Sequence, residues 1–214
     1  MVIQLVKKDL TYLITSLKST WIMLICFALG MPMISVGLGC VIPALVCYIG
    51  FFNTLAYEER NKANLLNLTL PVDRKDICFA KYIQVLLFII VFSILSILGL
   101  MVKRYTSPLE MAFYSKYFWE LIPIMLGTAL IYSAIVIPCV FYFGTIKSRY
   151  MLLFIYIIIF AGANSVNSIG MEKFIEGIVE VCGSHGGTVG VLVAGGIFIL
   201  SYFVSLGIWE RKEF

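Results

Sequence analysis

The chain has 214 residues, of which 61% are hydrophobic and 13% are charged, and its formal net charge is +4. Soluble domains carry roughly 25% charged residues, so this composition excludes an ordinary soluble domain, and a charge of +4 is too small to indicate nucleic-acid binding. The length leaves room for about six membrane-crossing helices joined by short loops. The sequence therefore predicts an all-α membrane protein with one transmembrane domain, residues 1–214.

Residues 1–18 predict an amphipathic helix that lies in the membrane–water interface. Such a helix turns its apolar face toward the acyl chains and its lysines toward the headgroups. An ordinary amphipathic helix packed on protein is the alternative. Polar residues appear by position 9 and no small-residue cleavage site follows, which favours a retained segment over a signal peptide. The apolar stripe consists of Ile3, Val6, Leu10, Leu13 and Leu17.

Uncharged stretches then predict six membrane spans. The first stretch, 19–57, contains no charged side chain, and it is long enough for two crossings at about 20 residues each. We expect the turn between these two spans at Gly37–Cys40 and the residues next to them. Prolines interrupt the first and fourth spans, and neighbouring helices can repair the backbone donor that a proline removes. The predicted spans are 20–38, 41–57, 82–102, 120–143, 150–169 and 189–209.

The distribution of lysine and arginine predicts that both termini are cytoplasmic. With that orientation, twelve basic residues are cytoplasmic and four are external, and basic residues are enriched in short cytoplasmic loops. Residues 57–82 are then cytoplasmic, whereas 103–119 and 170–188 are external. The 170–188 loop has a short apolar stripe at helical spacing before the glycine-rich stretch Gly183–Gly187. We therefore expect a short helix in this external loop.

The sequence contains no recognisable catalytic or metal-binding motif. The six cysteines show no CxxC spacing and are interpreted as apolar fillers. Gly144–Ser148 lacks the first glycine and the spacing of a phosphate-binding loop. His185 has no evident catalytic partners. An intramembrane protease or an ion-coupled secondary transporter would need ionisable residues at membrane depth, and the predicted spans have none there. We expect no catalytic residue, no cofactor and no metal.

The longest predicted cytoplasmic segment, 58–81, has three parts. A charged cluster leaves the second span, a short leucine-rich helix stops at Pro71, and Asp73 can cap a helix that carries Lys81 into the third span. A leucine-rich helix outside the lipid core needs a partner to cover it; a loop folded against its own helices is the alternative. The predicted partner-binding residues are Glu58, Glu59, Arg60, Leu65, Leu66, Leu70, Pro71 and Arg74.

This segment resembles the type-2 permeases of ATP-binding-cassette exporters. The similarity lies in two acidic residues after the second span, a Leu-Leu pair, a Leu-Pro-Val-x-Arg stretch and a lysine at the start of the third span. The general plan is also similar, with an interfacial helix, six spans, both ends inside and a late external loop. Ala63 stands where the family often has glycine. The matching residues are Glu58, Glu59, Leu65, Leu66, Leu70, Pro71, Val72, Arg74 and Lys81.

The resemblance implies that 58–81 forms a coupling helix, which docks in a groove of a separate ATPase subunit and passes ATP-driven closure to the spans. It implies a non-catalytic permease subunit in a bacterial plasma membrane, paired with an identical or homologous second permease. ATP and Mg²⁺ would be bound by the partner ATPase. A secondary transporter, or another polytopic membrane protein without an ATPase partner, is the alternative.

The uncharged, aromatic-rich spans favour a hydrophobic or amphipathic substrate, such as a peptide or a lipid-like compound. The path for this substrate would run between subunits, and its walls would be apolar. The alternative is that these aromatic side chains face lipid. The aromatic residues concerned are Phe27, Phe51, Phe52, Tyr132, Phe141, Phe154 and Phe160.

Overall fold

The computed structural model describes residues 2–16, 18–60, 74–106, 118–165 and 186–211. Within these ranges every residue is helical except Ser35 and Gly144, which confirms the all-helical prediction for the described part of the chain. The helices are α1 Val2–Ser16, α2 Lys18–Ile34, α3 Val36–Arg60, α4 Arg74–Thr106, α5 Phe118–Phe143, α6 Thr145–Ser165 and α7 Gly186–Arg211.

Helices α2 to α7 overlap the six predicted spans in order. The apolar helix α2 has 17 residues, slightly fewer than the roughly 20 that cross a hydrocarbon core. The chain is a multi-pass membrane protein, while the count of six spans stays a prediction. The segments that are long and apolar enough to cross a bilayer are Val36–Glu59, Lys75–Thr106, Leu121–Phe143 and Gly187–Trp209.

The break between the first two apolar helices differs from the predicted turn. Gly37–Cys40 is helical, and Ser35 alone separates α2 from α3. The amide of Gly39 donates to the Ser35 carbonyl at 3.1 Å, so hydrogen bonding resumes at once. Glycine here serves helix packing: a Cβ on Gly39 would lie 3.2 Å from Leu100 Cδ2. The break thus lies two residues before Gly37, and Gly37–Cys40 are helical, because small residues also permit close helix contacts in lipid.

The helices form an up-and-down bundle with α3 at its centre. Helix α3 packs against α2, α4, α5 and α6, whereas α7 packs mainly against α5. The start of α4 and the end of α7 lie at the same end of the bundle, because the Tyr82 hydroxyl is 2.7 Å from Ser205 Oγ. The largest fully buried side chains of α3 and α4 are Phe51, Phe88 and Phe92. The bundle core is therefore aromatic and centred on the α3–α4 contact.

Helices α2 and α4 approach each other closely beside the first proline. Pro32 has no N–H, which leaves the carbonyl of Ala28 without its helical donor. Ser96 Oγ of α4 donates to that carbonyl at 3.3 Å. One turn further, a Cβ on Gly99 would lie 2.5 Å from the Leu29 carbonyl oxygen. The neighbouring helix thus repairs the proline site, and a glycine makes room for the contact.

The second repaired proline lies in α5. Pro138 leaves the carbonyl of Ala134 without its helical donor, and Ser201 Oγ of α7 donates to it at 2.6 Å. The Tyr82 hydroxyl of α4 lies 2.9 Å from Ser201 Oγ and 2.7 Å from Ser205 Oγ. Because lipid offers no alternative partner, such hydrogen bonds hold membrane helices together. This polar network joins α4, α5 and α7.

Candidate coupling site at the basal end

Helix α3 ends at Arg60 and α4 begins at Arg74. Because Glu58 of α3 pairs with Lys81 of α4, these two helix termini lie at the same end of the bundle, which we call the basal end. The start of α4 agrees with the helix expected after Asp73, although Asp73 itself lies outside the described residues. The predicted site residues that also lie outside them are Leu65, Leu66, Leu70 and Pro71.

Four charged side chains meet at the basal end, on α1, α3 and α4. Lys81 Nζ lies 2.7 Å from Asp9 Oδ2 and 2.8 Å from Glu58 Oε1. Lys8 Nζ lies 3.8 Å from Asp9 Oδ1 and 3.8 Å from Glu58 Oε1. The side chains of Asp9, Glu58 and Lys81 are 4%, 5% and 6% exposed. We call Lys8, Asp9, Glu58 and Lys81 the basal ion cluster.

The basal ion cluster balances its charges. Two carboxylates face two ammonium groups, so the formal charges cancel. A buried charge is tolerated when it is paired, but removing one partner leaves the other uncompensated at a cost of about 3–5 kcal/mol. The cluster therefore holds the middle of α1, the end of α3 and the start of α4 in one arrangement.

The two predicted acidic site residues have different surroundings. Glu58 is buried and its carboxylate pairs with Lys81 inside the chain. Glu59 is exposed, and its carboxylate accepts a hydrogen bond from the Thr145 hydroxyl at the start of α6. Glu58 thus joins α3 to α4, and Glu59 joins α3 to α6. Contact of either residue with a partner protein stays a prediction.

The glycine–lysine stretch Gly144–Ser148 forms the corner between α5 and α6. Gly144 has a φ of +80°, a left-handed conformation that favours glycine. Ser148 Oγ donates to the Cys139 carbonyl at 2.8 Å and so caps the end of α5. Through Thr145, this corner lies beside the end of α3. The stretch is therefore a helix corner at the basal end.

Helix α1 covers most of the predicted interfacial segment and packs chiefly against α4. Val6 is buried, Ile3 is 82% exposed, and Lys7 is exposed. Ile3 belongs to the predicted apolar stripe, so the amphipathic arrangement of this helix stays a prediction. Its location in the membrane–water interface stays a prediction.

Sequence reasoning missed Asp9 as a site residue. The signal was its position: Val6, Asp9, Leu10 and Leu13 follow the i, i+3, i+4, i+7 spacing of one helix face. An acidic residue on an apolar face is costly unless it is paired. Pairing with Lys81 across 72 residues could not be read from the sequence, but the need for a partner could.

The remaining predictions concern the cysteines, His185 and metal binding. Cys26, Cys40, Cys47, Cys78 and Cys139 are free thiols in the described part of the chain, and three of them are buried. In the external loop predicted at 170–188, the described residues start where α7 begins, so His185 lies outside them. Among the described residues, no group of three or more His, Cys, Asp or Glu side chains is arranged to hold a metal.

Comparison with known proteins gives one match. A family model described as "ABC-2 family transporter protein" matches residues 4–210. No curated protein matches the chain, and no solved structure does. The matched region begins in α1 and ends in α7, so it contains the basal ion cluster and the predicted coupling segment.

Proposed function

The chain belongs to the ABC-2 family of transporter proteins, and on that premise we propose that it is the permease subunit of an ATP-driven exporter. It is a membrane permease of the ATP-binding-cassette class. In the proposal, a separate ATPase subunit binds ATP and Mg²⁺ and hydrolyses the nucleotide, while this chain forms the transmembrane path. The protein works in a bacterial plasma membrane with a second permease, either a second copy or a homologue.

The observation that carries the proposal is the position of the basal ion cluster relative to residues 61–73. Glu58 lies two residues before the end of α3, and Lys81 lies seven residues after the start of α4. Their ion pair ties the two helices together just inside the bundle. A displacement of 61–73 by a docked partner therefore moves α3 and α4 together instead of prying them apart. This is what a coupling segment needs.

The docking surface proposed for the ATPase is the segment from Leu65 to Arg74. Burying one leucine against a partner contributes about 1.5–3 kcal/mol. Pro71 fixes its own φ and ends a helix, so it gives the leucine-rich helix a defined end. Arg60 and Arg74 flank the leucines in the sequence. We therefore expect the groove of the ATPase to be apolar and to have an acidic rim.

The proposed substrate is hydrophobic or amphipathic, and the structure narrows the residues that can line its path. Phe51, Phe52, Tyr132 and Phe141 are buried inside the bundle, so they cannot face a second subunit. Phe27 is 36% exposed and Phe154 is 66% exposed. Phe160 lies in α6. A path between subunits would therefore use side chains of α2 and α6.

A secondary transporter is less well supported than a coupled permease. Ion-coupled carriers place ionisable residues near the bilayer midplane. Among the described residues, the buried charged side chains of Asp9, Glu58 and Lys81 lie at the basal end, and that of Lys103 lies near the other end of α4. Between Val36 and Tyr57, and between Tyr82 and Val102, no charged residue occurs. The charges are therefore placed to join helix ends, which suits coupling better than ion transport.

Purification from native membranes tests the proposal. A tagged chain should bring an ATP-binding-cassette ATPase with it, the complex should hydrolyse ATP, and the chain freed from its partner should not. Hydrolysis by the isolated chain, or purification without any ATPase under mild detergent, would refute the proposal. A gene for such an ATPase beside this one would identify the partner.

A further inference from the structure

We propose that Asp9 makes helix α1 a moving part of the coupling machinery. By holding Lys81, the Asp9 carboxylate locks α1 onto α4, and the two helices move as one body when the ATPase closes. Asp9 is a positioning residue, since it acts through Lys81. The inference rests on the proposed function and deepens it. It names α1 as a helix that, like α3 and α4, moves when the ATPase closes.

The Asp9 carboxylate is a buried polar link between α1 and α4. Among the described side chains of α1, Val6 and Asp9 are buried, and Leu5, Lys8 and Leu10 are partly buried. Helix α1 contacts α4 more than it contacts α2 or α3. The 2.7 Å contact between Asp9 Oδ2 and Lys81 Nζ therefore joins α1 to the helix against which it chiefly packs.

The charge pattern shows that Asp9 serves α1 specifically. Glu58 and Lys81 already form a neutral pair between α3 and α4, so that pair does not need Asp9 for its charge balance. Lys8 lies next to Asp9 and balances it within α1. Two neutral pairs thus meet at the basal end. The Asp9–Lys81 contact at 2.7 Å is the shorter link between them, and the Lys8–Glu58 contact at 3.8 Å is the longer one. Removing the Asp9 carboxylate takes away the shorter link of α1 and leaves the α3–α4 tie in place.

Locking α1 to α4 has a mechanical consequence. Helix α1 is joined to α2 through residue 17, which lies outside the described residues, and α2 begins at Lys18. A displacement of α4 at the basal end is therefore passed through α1 to the start of α2 as well as to α3. Without the lock, α1 would stay where the lipid headgroups hold it, and the stroke would reach α2 only through side-chain packing.

Distance measurement between α1 and α4 tests the proposal. Spin labels are placed at Lys7 and Phe79, which are both exposed, as unnatural amino acids so that the native cysteines remain. The complex with its ATPase is measured by pulsed electron paramagnetic resonance, first without nucleotide and then trapped with ATP, Mg²⁺ and vanadate. A second label pair, at Phe79 and Lys147, reports whether the stroke moves α4 relative to α6.

We expect the Lys7–Phe79 distance distribution to be narrow and unchanged by trapping in the wild-type complex. Asp9→Leu keeps the branching of the side chain but has no hydrogen-bond acceptor. In the trapped state it should at least double the width of the Lys7–Phe79 distance distribution. Asp9→Glu, which keeps the carboxylate, should restore a narrow distribution. Thr11→Val is the matched control on α1, because the Thr11 hydroxyl bonds only locally to the Lys7 carbonyl at 2.7 Å; it should leave the width unchanged.

The outcomes separate the inference from the proposed function. If Asp9→Leu keeps the wild-type distribution while the Phe79–Lys147 distance still changes on trapping, the lock does not exist and the coupled permease stands. If wild-type chain binds no ATPase, the proposed function fails and the inference with it. If Asp9→Leu does not reach the membrane, Asp9→Ala, which also has no acceptor, is measured instead: broadening that Asp9→Glu reverses supports the lock, and a wild-type width overturns it.

Discussion

Lys81 Nζ lies 2.8 Å from Glu58 Oε1, across the two helices that flank the predicted coupling segment. The two residues are 23 positions apart, and the predicted coupling segment connects their helices. Their contact fixes the distance between the two ends of that segment. A partner that binds the segment therefore acts on a joined pair of helices.

Lys81→Met should destabilise the protein by about 3–5 kcal/mol, because it leaves two buried carboxylates with one partly exposed lysine between them. Lys81→Arg should retain much of the stability. The matched control is Lys103→Met on the same helix, where Lys103 Nζ donates to the Ile34 carbonyl at 2.9 Å and a lost hydrogen bond costs about 1–3 kcal/mol. Unfolding in mixed micelles measures the free energy of unfolding of each variant and so ranks the three losses. Equal losses for both lysines would contradict the special role of the basal ion cluster.

Ser201→Ala should cost about 1–2 kcal/mol, because the Ala134 carbonyl and the Tyr82 hydroxyl both lose a partner in lipid. Ser205→Ala should cost less, since only Tyr82 loses a partner. In a Pro138→Ala background the residue at 138 has an N–H that can reach the Ala134 carbonyl, so Ser201→Ala should then cost less than in the wild type. A double-mutant cycle measures this coupling; additive losses would show that the serine does not repair the proline.

Gly99→Ala should weaken the α2–α4 contact, because the new Cβ would lie 2.5 Å from the Leu29 carbonyl oxygen, which is backbone and cannot rotate away. The expected loss is about 1–3 kcal/mol. Gly127→Ala in α5 is the matched control, since a Cβ there meets no atom within 4 Å. Thermal stability in detergent compares the two. A harmless Gly99→Ala with a damaging Gly127→Ala would contradict this packing.

The predicted topology can be tested by labelling single cysteines in a cysteine-free background. A membrane-impermeant thiol reagent should label Lys116→Cys in intact cells and Arg74→Cys only after permeabilisation. The reason is the excess of lysine and arginine on the side assigned to the cytoplasm. Labelling of position 74 but not of 116 in intact cells would reverse the orientation, and the ATPase could not then reach the coupling segment.

The positions of the long helices were predictable from the sequence because lipid imposes a simple rule. Each predicted span overlaps mainly with one helix, and the charged residues Arg60 and Arg74 mark the end of α3 and the start of α4. The glycines of Gly37–Cys40 lie within a helix and not in the predicted turn, because a glycine in a membrane helix can serve close packing as well as a turn. Only the neighbouring helix, here through Leu100, distinguishes the two uses.

The candidate site was predictable in part. Glu58 and Lys81 stood out as charges at the ends of spans, but the sequence did not show that they pair with each other and with Asp9. Such pairing depends on which helices are neighbours, and local spacing contains no information on that. The sequence likewise showed that Pro138 leaves a backbone carbonyl that needs another donor in lipid. It did not show that Ser201 of α7 is that donor.

The central claim is that Leu65 to Arg74 transmits the ATPase stroke, and one measurement tests it most directly: the amount of ATPase retained by purified Leu66→Asp and Leu70→Asp variants. Each variant replaces a leucine contact of about 1.5–3 kcal/mol by a charge, so affinity should fall about 10-fold or more. Asn67→Asp adds the same charge between them without removing a leucine and should retain the ATPase. If both leucine variants bind the ATPase and stimulate hydrolysis as the wild type does, the segment is a loop without a coupling role.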